Sequence, residues 1–429
     1  MKYLPINKEL FILNRKNFSS CLKPNSIAIF NSNDIMPTNA DGTMGFRQNN
    51  DLFYLSGIDQ EETVLVIFPD AKNENHREVL FIKETNDLIA TWEGHKLTKQ
   101  EAQDISGIKT IIWTNNFEAT LTGLVFEAQN IYLNTNEHLR SGNLVETRDA
   151  RFIKTCKDNF PLHHFERLAP IMQQLRAIKS SYEIELMQQA CSITEKAFRR
   201  LLGFIKPNVW EFEIEAEFMH EILKNRSSGP AYHPIIASGR NACILHYIEN
   251  NQQCEDGDLI LLDLGAEYAN YSSDMTRTVP VNGKFSPRQK AIYNAVLRVM
   301  KQAVSMLVVG NTLEKYHKKV GELMTEELIQ LNLLSKEEVA QQDEKNPAYK
   351  KYFMHGTSHF LGLDTHDVGD RYRPFEAGMV FTCEPGIYIK EEGIGIRIEN
   401  NYLITENEPI DLMKNIPIEV EEIEALMNK

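Results

Sequence analysis

Asp263 closes the aliphatic run Leu259-Ile-Leu-Leu262, and Asp274 follows eleven residues later in Ser273-Asp-Met-Thr-Arg-Thr-Val279. A carboxylate ending a strand of this apolar character costs free energy unless a cation neutralises it. A hairpin turning near Tyr268–Ala269 would set the two aspartates directly across from each other, both projecting from one face. Facing carboxylates repel, and either a shared proton or a shared metal ion resolves the conflict. Further on, three of the 12 histidines crowd into His355-Gly-Thr-Ser-His359-Phe-Leu-Gly-Leu-Asp-Thr-His366. Imidazole binds metals well, and the glycines Gly356 and Gly362 let backbone approach a site closely. Taken singly, His355 and His366 could equally be hydrogen-bonded structural residues. No HExxH is present, so a zincin site is excluded. Glu384 follows Met379-Val-Phe-Thr-Cys383, and Glu399 follows Ile394-Gly-Ile-Arg-Ile398, each ending or interrupting a strand-like run. Together Asp263, Asp274, His359, Glu384 and Glu399 form a carboxylate-rich donor set with one imidazole. Such a set suits two divalent cations about 3.5–4 Å apart.

These donors need a scaffold that brings distant segments together. Ser180 with Glu183 reads as a capping box, and Ile184, Met187, Cys191, Phe198 and Leu201 keep helical spacing until Pro207. A second helix from about Trp210 carries Ile214, Phe218 and Ile222 on one face, and strand-like segments run from Ile235 to Val281. Ser286-Pro287-Arg288-Gln289 restarts the cycle as N-cap, N1 proline and N3 glutamine, with Ile292, Val296, Val299 and Ala303 as the apolar stripe. A helix over Leu313–Leu331 then precedes strands from Phe353 to Thr405. The order helix pair, strands, helix pair, strands is what a duplicated α+β half produces, although no alignable repeat is visible. From Ser26 to Asn134, runs at Ser26–Phe30, Thr63–Phe68, Val79–Lys83, Thr110–Trp113 and Ile131–Leu133 alternate with helical stretches near Thr98–Ile105 and Phe117–Ala128. That predicts an α/β domain. The mixed-charge stretch Arg148–Pro170 reads as a surface connection, with a domain boundary near residue 172.

The chain has 429 residues, enough for two or three domains, with 42% hydrophobic and 25% charged residues, an ordinary globular balance. Lys and Arg total 46 against 60 Asp and Glu, a net charge of −14 that repels phosphate backbones and anionic lipid. Nucleic acid and membrane are therefore not expected as partners. Pro5, Lys8 and Glu9 interrupt any export-type apolar run, and stretches such as Met306–Val309 fall far short of the roughly 20 residues that cross a bilayer. Cys21, Cys156, Cys191, Cys243, Cys254 and Cys383 show no CxxC spacing and read as reduced packing thiols, which suits the cytoplasm.

The segment from about Arg176 to Thr405 resembles the pita-bread metallopeptidases, the family of methionine aminopeptidase, prolidase and aminopeptidase P. The resemblance rests on Ile244-Leu-His246-Tyr, on Leu262-Asp263-Leu-Gly with Ser273-Asp274-Met-Thr-Arg277, and on the His355–Asp367 segment. It also rests on Glu384-Pro-Gly-Ile-Tyr388 and Gly395-Ile-Arg-Ile-Glu399. The stretch Phe46-Arg-Gln-Asn-Asn-Asp51-Leu-Phe-Tyr54-Leu-Ser-Gly57 resembles the non-catalytic domain of the aminopeptidase P and prolidase branch. The implied fold is an α/β N-terminal domain of the creatinase/prolidase type over 1–172. An α+β pita-bread catalytic domain with pseudo-two-fold duplicated halves would cover 173–429.

The resemblance implies metal-dependent hydrolysis of the bond between an N-terminal residue and proline, releasing that residue. An X–Pro amide has no N–H and a locked φ, so a dedicated enzyme makes chemical sense. Two divalent ions are implied, manganese by the family's usual preference, with a bridging hydroxide as the attacking group. By resemblance Asp263 holds one ion alone, Asp274 and Glu399 bridge both, and His359 with Glu384 complete the other. Glu384 also accepts the proton of the attacking water. His246 and His366 match residues that stabilise the tetrahedral intermediate and the proline end. His355 and Arg371 line the pocket, with Tyr388 and Arg397 as further substrate-binding residues. Asp41 and Trp92 are candidates for reaching the substrate's amino end from a neighbouring subunit. The N-terminal domain would serve oligomer contacts, as a homodimer or homotetramer, and cleft closure. Prolidase, restricted to Xaa-Pro dipeptides, is the neighbouring alternative; Ser358 and the compact Tyr388–Gly395 connection favour aminopeptidase P. A binding protein that had lost the metals would depart from the five-donor set, and this chain retains it.

Overall fold

In the first part of the chain the β-branched runs become strands β1 (Ser26–Asn31), β2 (Val64–Ile67), β3 (Glu78–Ile82), β4 (Thr110–Trp113) and β5 (Asn130–Leu133). With β6 (His164–Arg167) they form one sheet in the order β4-β3-β2-β1-β5-β6. The β1–β2 and β2–β3 pairs are antiparallel, and β3–β4, β1–β5 and β5–β6 are parallel. Alternate residues Ile27, Ile29, Val64, Val66, Val79 and Phe81 pack on Leu121, Leu124 and Val125 of the helix Phe117–Val125. The computed structural model describes residues 2–142, 144–343 and 345–428 and separates into compact units Tyr3–Arg176 and Ala177 onward.

The expected surface connection over Arg148–Pro170 is ordered secondary structure: helix Arg148–Asn159, β6, and the start of helix Ala169–Ala177. Its polar composition hid this for a physical reason. The helix Arg148–Asn159, capped by Thr147, buries only Cys156, and the edge strand β6 buries no residue, so neither carries a clear apolar period.

The second unit keeps the predicted order of helix pairs and strands, but the last strands, expected from Phe353, begin only at Val380, after a short helix Lys336–Ala340. Helix Ser181–Phe204 starts at a complete capping box between Ser180 and Glu183, and helix Glu211–Lys224 buries Ile214, Phe218 and Ile222. Strands β7 (Ile235–Ser238), β8 (Leu259–Leu264), β9 (Glu267–Tyr268), β10 (Tyr271–Ser272) and β11 (Met275–Pro280) follow. The second helix pair, Pro287–Val304 and Leu313–Gln330, opens with the Ser286–Gln289 capping box and Pro287 in the first turn. Strands β12 (Val380–Cys383), β13 (Gly386–Ile389), β14 (Ile394–Arg397), β15 (Asn400–Leu403) and β16 (Ile410–Asp411) complete it. Each half contributes a three-stranded sheet, β11-β8-β7 and β12-β15-β16.

The register of the first hairpin differs from the expected one. Tyr271 pairs with Tyr268 and Ser272 with Glu267, leaving Ala269 and Asn270 as the turn, both at positive φ (53° and 65°). This is the signature of a type I′ turn, whose twist matches that of the strands. Asp263 therefore pairs with Thr276, not Asp274. With a side-chain period of two, Asp274 still lies on the same face, diagonally displaced.

All six cysteines are free; Cys156, Cys191, Cys254 and Cys383 are buried as expected of packing thiols, whereas Cys21 is exposed at the end of helix Glu9–Ser20. Among the described residues no helix is long and apolar enough to cross a membrane.

Candidate metal centre

The five predicted donors come from β8, the start of β11, the loop before β12, the end of β12 and the β14–β15 junction. Oxygen atoms of Asp274 and Glu399 and a ring nitrogen of His359 lie within 4.8 Å of one another. His359 Nε2 is 3.4 Å from Asp274 Oδ2 and 3.5 Å from Glu384 Oε1. Its other nitrogen, Nδ1, lies 2.9 Å from the Phe360 carbonyl. With Nδ1 satisfied by that carbonyl, Nε2 is the nitrogen that faces the carboxylates and would take a metal ion. Asp263 joins the cluster through Tyr232, whose hydroxyl is 2.6 Å from both Asp263 Oδ1 and Asp274 Oδ1. One phenol proton can serve one oxygen at a time, so the pair is only half satisfied by this contact.

Backbone contacts hold each donor. The Asn401 side chain, fully buried, accepts from the Asp274 N–H at 3.1 Å and donates to the Asp274 carbonyl at 2.6 Å, acting as a strand partner for that residue. The Glu399 N–H donates to the Thr276 carbonyl at 3.0 Å, and Thr276 Oγ1 donates to Glu399 Oε2 at 2.7 Å. Thr382 Oγ1 accepts from the His359 N–H at 3.2 Å and lies 3.3 Å from Glu384 Oε1, tying those two donors together. At Gly265 an added Cβ would lie 2.0 Å from the Ser273 carbonyl oxygen, so only glycine lets the two aspartate-bearing strands close here.

The electrostatics are those of an anionic cage. Burial raises the carboxyl pKa of Asp274 against the hydrogen bond from His359, and Asp263 raises it further. Burial and then the charges of Asp274, Glu384 and Asp263 push Glu399 well above the usual carboxylate range. Glu384 is pushed up to about 7, chiefly by burial, against the opposing pull of His359. Burial would lower His359, but the hydrogen bond to Asp274 and the charges of Glu384 and Asp274 override it and lift the imidazole to about 9. Glu399 Oε1 is buried with no hydrogen-bond partner. An orphaned buried carboxylate oxygen is costly, and divalent cations would remove both that cost and the mutual repulsion. Four carboxylates and one imidazole are the donor chemistry such ions select, and the cage fits them.

The other predicted residues fall into three groups. Arg397, 4% exposed, donates to Asp263 Oδ2 at 2.5 Å, to the Tyr388 hydroxyl at 2.7 Å and, through Nε, to Thr276 Oγ1 at 3.2 Å. These contacts make it the internal counter-ion of Asp263. Tyr388, also buried, lies 2.8 Å from His355 Nε2, while His355 Nδ1 is 2.8 Å from the Gly356 carbonyl and 3.6 Å from Glu384 Oε2. The donors line up as Arg397 to Tyr388 to His355 to Gly356, which requires a neutral imidazole. Burial, with Arg397 and His246 nearby, holds the His355 pKa at about 3. His246 and His366 are exposed at the edge of this cluster, the His366 ring set edge-on to His359 at 4.4 Å between centroids. Arg371 is exposed over the Tyr372 ring. Asp41 and Trp92 belong to the other unit and are exposed there, Trp92 on helix Asp87–Glu93.

Sequence reasoning passed over Tyr232, Thr276, Thr382, Asn401 and His317. His317, on helix Leu313–Gln330, accepts the Thr357 N–H at Nδ1 (3.2 Å) and so braces the histidine-rich loop. Its pKa is held at about 4 by burial and by the charge of Arg371. Asn401 and Thr276 lie inside or beside the motifs and could have been noticed; Tyr232 and His317 stand alone in sequence and give no local signal.

A caged cluster of this composition, on a duplicated α+β unit that follows an α/β unit, defines a two-domain metallopeptidase. The family model for metallopeptidase family M24 matches residues 185–406, and that for the aminopeptidase P N-terminal domain matches 11–132. The chain is 36% identical to the Xaa-Pro aminopeptidase of Haemophilus influenzae over 98% of its own length and 97% of the relative's. It is 34% identical to that of Escherichia coli over 98% of each. Among solved structures, Pseudomonas aeruginosa aminopeptidase PepP superposes with a TM-score of 0.89 at 33% identity, covering 99% of this chain and 98% of that one. Zinc-substituted Escherichia coli aminopeptidase P in complex with product gives 0.88 at 31% identity, covering 99% of each chain. The chain belongs to metallopeptidase family M24, in its aminopeptidase P branch.

Proposed function

We propose that the protein is a metal-dependent Xaa-Pro aminopeptidase, releasing the N-terminal residue that precedes proline. The observation that carries this reading is the convergence of Asp263, Asp274, His359, Glu384 and Glu399 in a chain that matches Xaa-Pro aminopeptidases along nearly its whole length. Asp263, Asp274, His359, Glu384 and Glu399 would together hold two divalent ions, with Asp274 and Glu399 shared between them. Bound there, such ions lower the pKa of a water molecule and polarise a carbonyl.

The chain's own residues supply the rest. Glu384, 3.5 Å from His359 within the donor cluster, is the carboxylate that would accept a proton from the attacking water and return it to the leaving proline nitrogen. The leaving nitrogen needs that proton because it departs as a neutral amine and would be a very poor leaving group as an anion. His355, oriented by Tyr388 at Nε2 and by the Gly356 carbonyl at Nδ1, stands beside Glu384. His246 and His366, exposed at the rim, donate to the carbonyl oxygen and the proline end of the substrate. Arg371 lines the approach.

Manganese is proposed as the native ion, since hard carboxylate oxygens dominate the donor set. Free thiols throughout suit a reducing cytoplasm, and the protein is proposed to assemble as a homodimer or homotetramer. Assay with a proline-second peptide series decides the activity. Arg-Pro-Pro-type peptides should be shortened by one residue, and exhaustive chelation should abolish turnover until manganese is restored. Turnover confined to dipeptides such as Gly-Pro would make the enzyme a prolidase, and turnover untouched by chelation would remove the metals from the mechanism.

A further inference from the structure

Glu211, in the first turn of helix Glu211–Lys224, is wholly buried although nothing in the metal centre touches it. Its carboxylate collects donors from both ends of a single loop. Oε1 accepts from the Ser238 N–H and the Ser238 hydroxyl, each at 2.7 Å. Oε2 accepts from the Tyr247 hydroxyl at 2.7 Å and the Gln252 N–H at 2.9 Å. A buried carboxylate with this many donors is satisfied in its ionised form, and charge-assisted bonds are the stronger kind.

The loop it closes runs from the end of β7 through the short 3-10 turn Gly239–Cys243 to Gln252, and His246 lies on it. Tyr247, 5% exposed, points inward to Glu211 while its neighbours His246 and Ile248 are exposed. Tyr247 is pinned inward, and His246, in the turn just before it, is left on the exposed side of the loop. His246 lies near enough to His355 for the two imidazoles to interact. Asn250 braces the same loop through Ile236 and Pro234, but only Tyr247 is adjacent to the histidine.

We infer that Glu211 is a positioning residue: through Ser238, Tyr247 and Gln252 it clamps the loop so that the His246 imidazole is held at the reacting carbonyl. The inference rests on the proposed Xaa-Pro aminopeptidase activity. The clamp acts on a group that touches substrate, without contacting substrate or metal itself.

The test is a double-mutant cycle on the manganese-loaded full-length enzyme with an Xaa-Pro-Pro peptide. Tyr247→Phe removes one donor and keeps the ring in its buried seat; Glu211→Gln places an amide group against a set of donors. Each should lower kcat by about 5–20-fold with KM changed less than about twofold, because the lost positioning matters in the transition state. In a His246→Ala background the same changes should cost less than about twofold. Bound manganese should match wild type, and hydrogen exchange should quicken in residues 239–252 without quickening in β8 and β11. Equal fold-losses with and without His246 would overturn the clamp, as would a Tyr247→Phe enzyme of wild-type kcat. If Glu211→Gln does not fold, Tyr247→Phe and Ser238→Ala carry the same cycle. A wild-type protein that leaves Xaa-Pro peptides intact would instead overturn the proposed function and the clamp with it.

Discussion

The Arg397 guanidinium sits 2.5 Å from the Asp263 carboxylate, and both side chains are nearly buried, at 5% and 12% exposure. Burial opposes the charge on Arg397, yet Tyr388, Asp263 and Glu399 around it raise its pKa well above the ordinary value. The cage thus carries its own cation, covalently attached. Among the carboxylates of the cage Asp263 is offset by Arg397, and Asp274 and Glu384 in part by His359, which still leaves a net negative cage for cations to neutralise.

Replacing Arg397 by methionine should therefore be costly chiefly when the metals are absent. Removing one partner of a buried ion pair typically costs about 3–5 kcal/mol, because the other charge is left unpaired. Bound dications would take over much of that neutralisation. Denaturation of Arg397→Met with and without manganese should show a wider stability gap than wild type. A gap equal to the wild-type one would mean that Arg397 does not balance the cage.

The same electrostatics set how the metal-stripped protein responds to pH. Glu384, with its folded pKa raised to about 7, contributes stability below about 4.5 that is lost as pH rises through 7. Glu399 and Asp274, also raised, act in the same direction. His359, raised to about 9, contributes stability that is complete below 6.5 and lost as pH rises through 9. His355 and His317, depressed to about 3 and 4, work oppositely, but only below 6.5, where the unfolded imidazoles take up protons. Between pH 6.5 and 9 the stripped protein should therefore lose stability steadily, and the increase in Tm on adding manganese should grow. A metal-induced increase that is flat across this range would contradict the raised values.

Much of this cage was legible in the residues. Asp263, Glu384 and Glu399 announced themselves because each ends or interrupts a strand-like run, where an unpaired carboxylate is expensive, Asp274 because it lies eleven residues beyond Asp263, and His359 because histidines cluster around it. Capping boxes at Ser180 and Ser286 located two long helices, since capping is local chemistry. What could not be read is tertiary. The exact pairing of Asp263 with Thr276 depends on which two residues form the turn, and the choice of Ala269 and Asn270 shifts the register by two. Tyr232 and His317 reach the site from unrelated elements. Arg397 was identified as a site residue, but its contacts with Asp263, Tyr388 and Thr276 appear only in three dimensions. The polar edge strand β6 lacks any periodic signal.

Asp274 is the donor shared most widely, touching His359 and Tyr232 and lying within reach of Glu399. Asp274→Asn removes its charge and should lower metal content and activity together. Asn401→Ala should reproduce part of this from a distance, because it strips both hydrogen bonds from the Asp274 backbone. Loss of such supporting groups typically weakens metal affinity about 10–100-fold. Metal analysis after dialysis, paired with peptide turnover, checks both. Asp274→Asn with wild-type metal content and rate would refute the ligand assignment.

Tyr232 offers one proton to two neighbouring carboxylate oxygens, Asp263 Oδ1 and Asp274 Oδ1. Burial, and then the charges of Asp263 and Asp274, raise its own pKa well above 10, so the phenol stays protonated across the working range. Tyr232→Phe keeps the ring but deletes that donor, leaving the aspartates with more repulsion to be relieved by the ions. The substitution should make the stripped protein less stable while the manganese-loaded protein changes by less. Turnover should then require more added manganese, by about tenfold or more. Manganese titration of activity, alongside Tm in the presence of a chelator, reads both effects. An unaltered titration midpoint together with an unaltered Tm would show that the hydroxyl does not hold the two carboxylates in place.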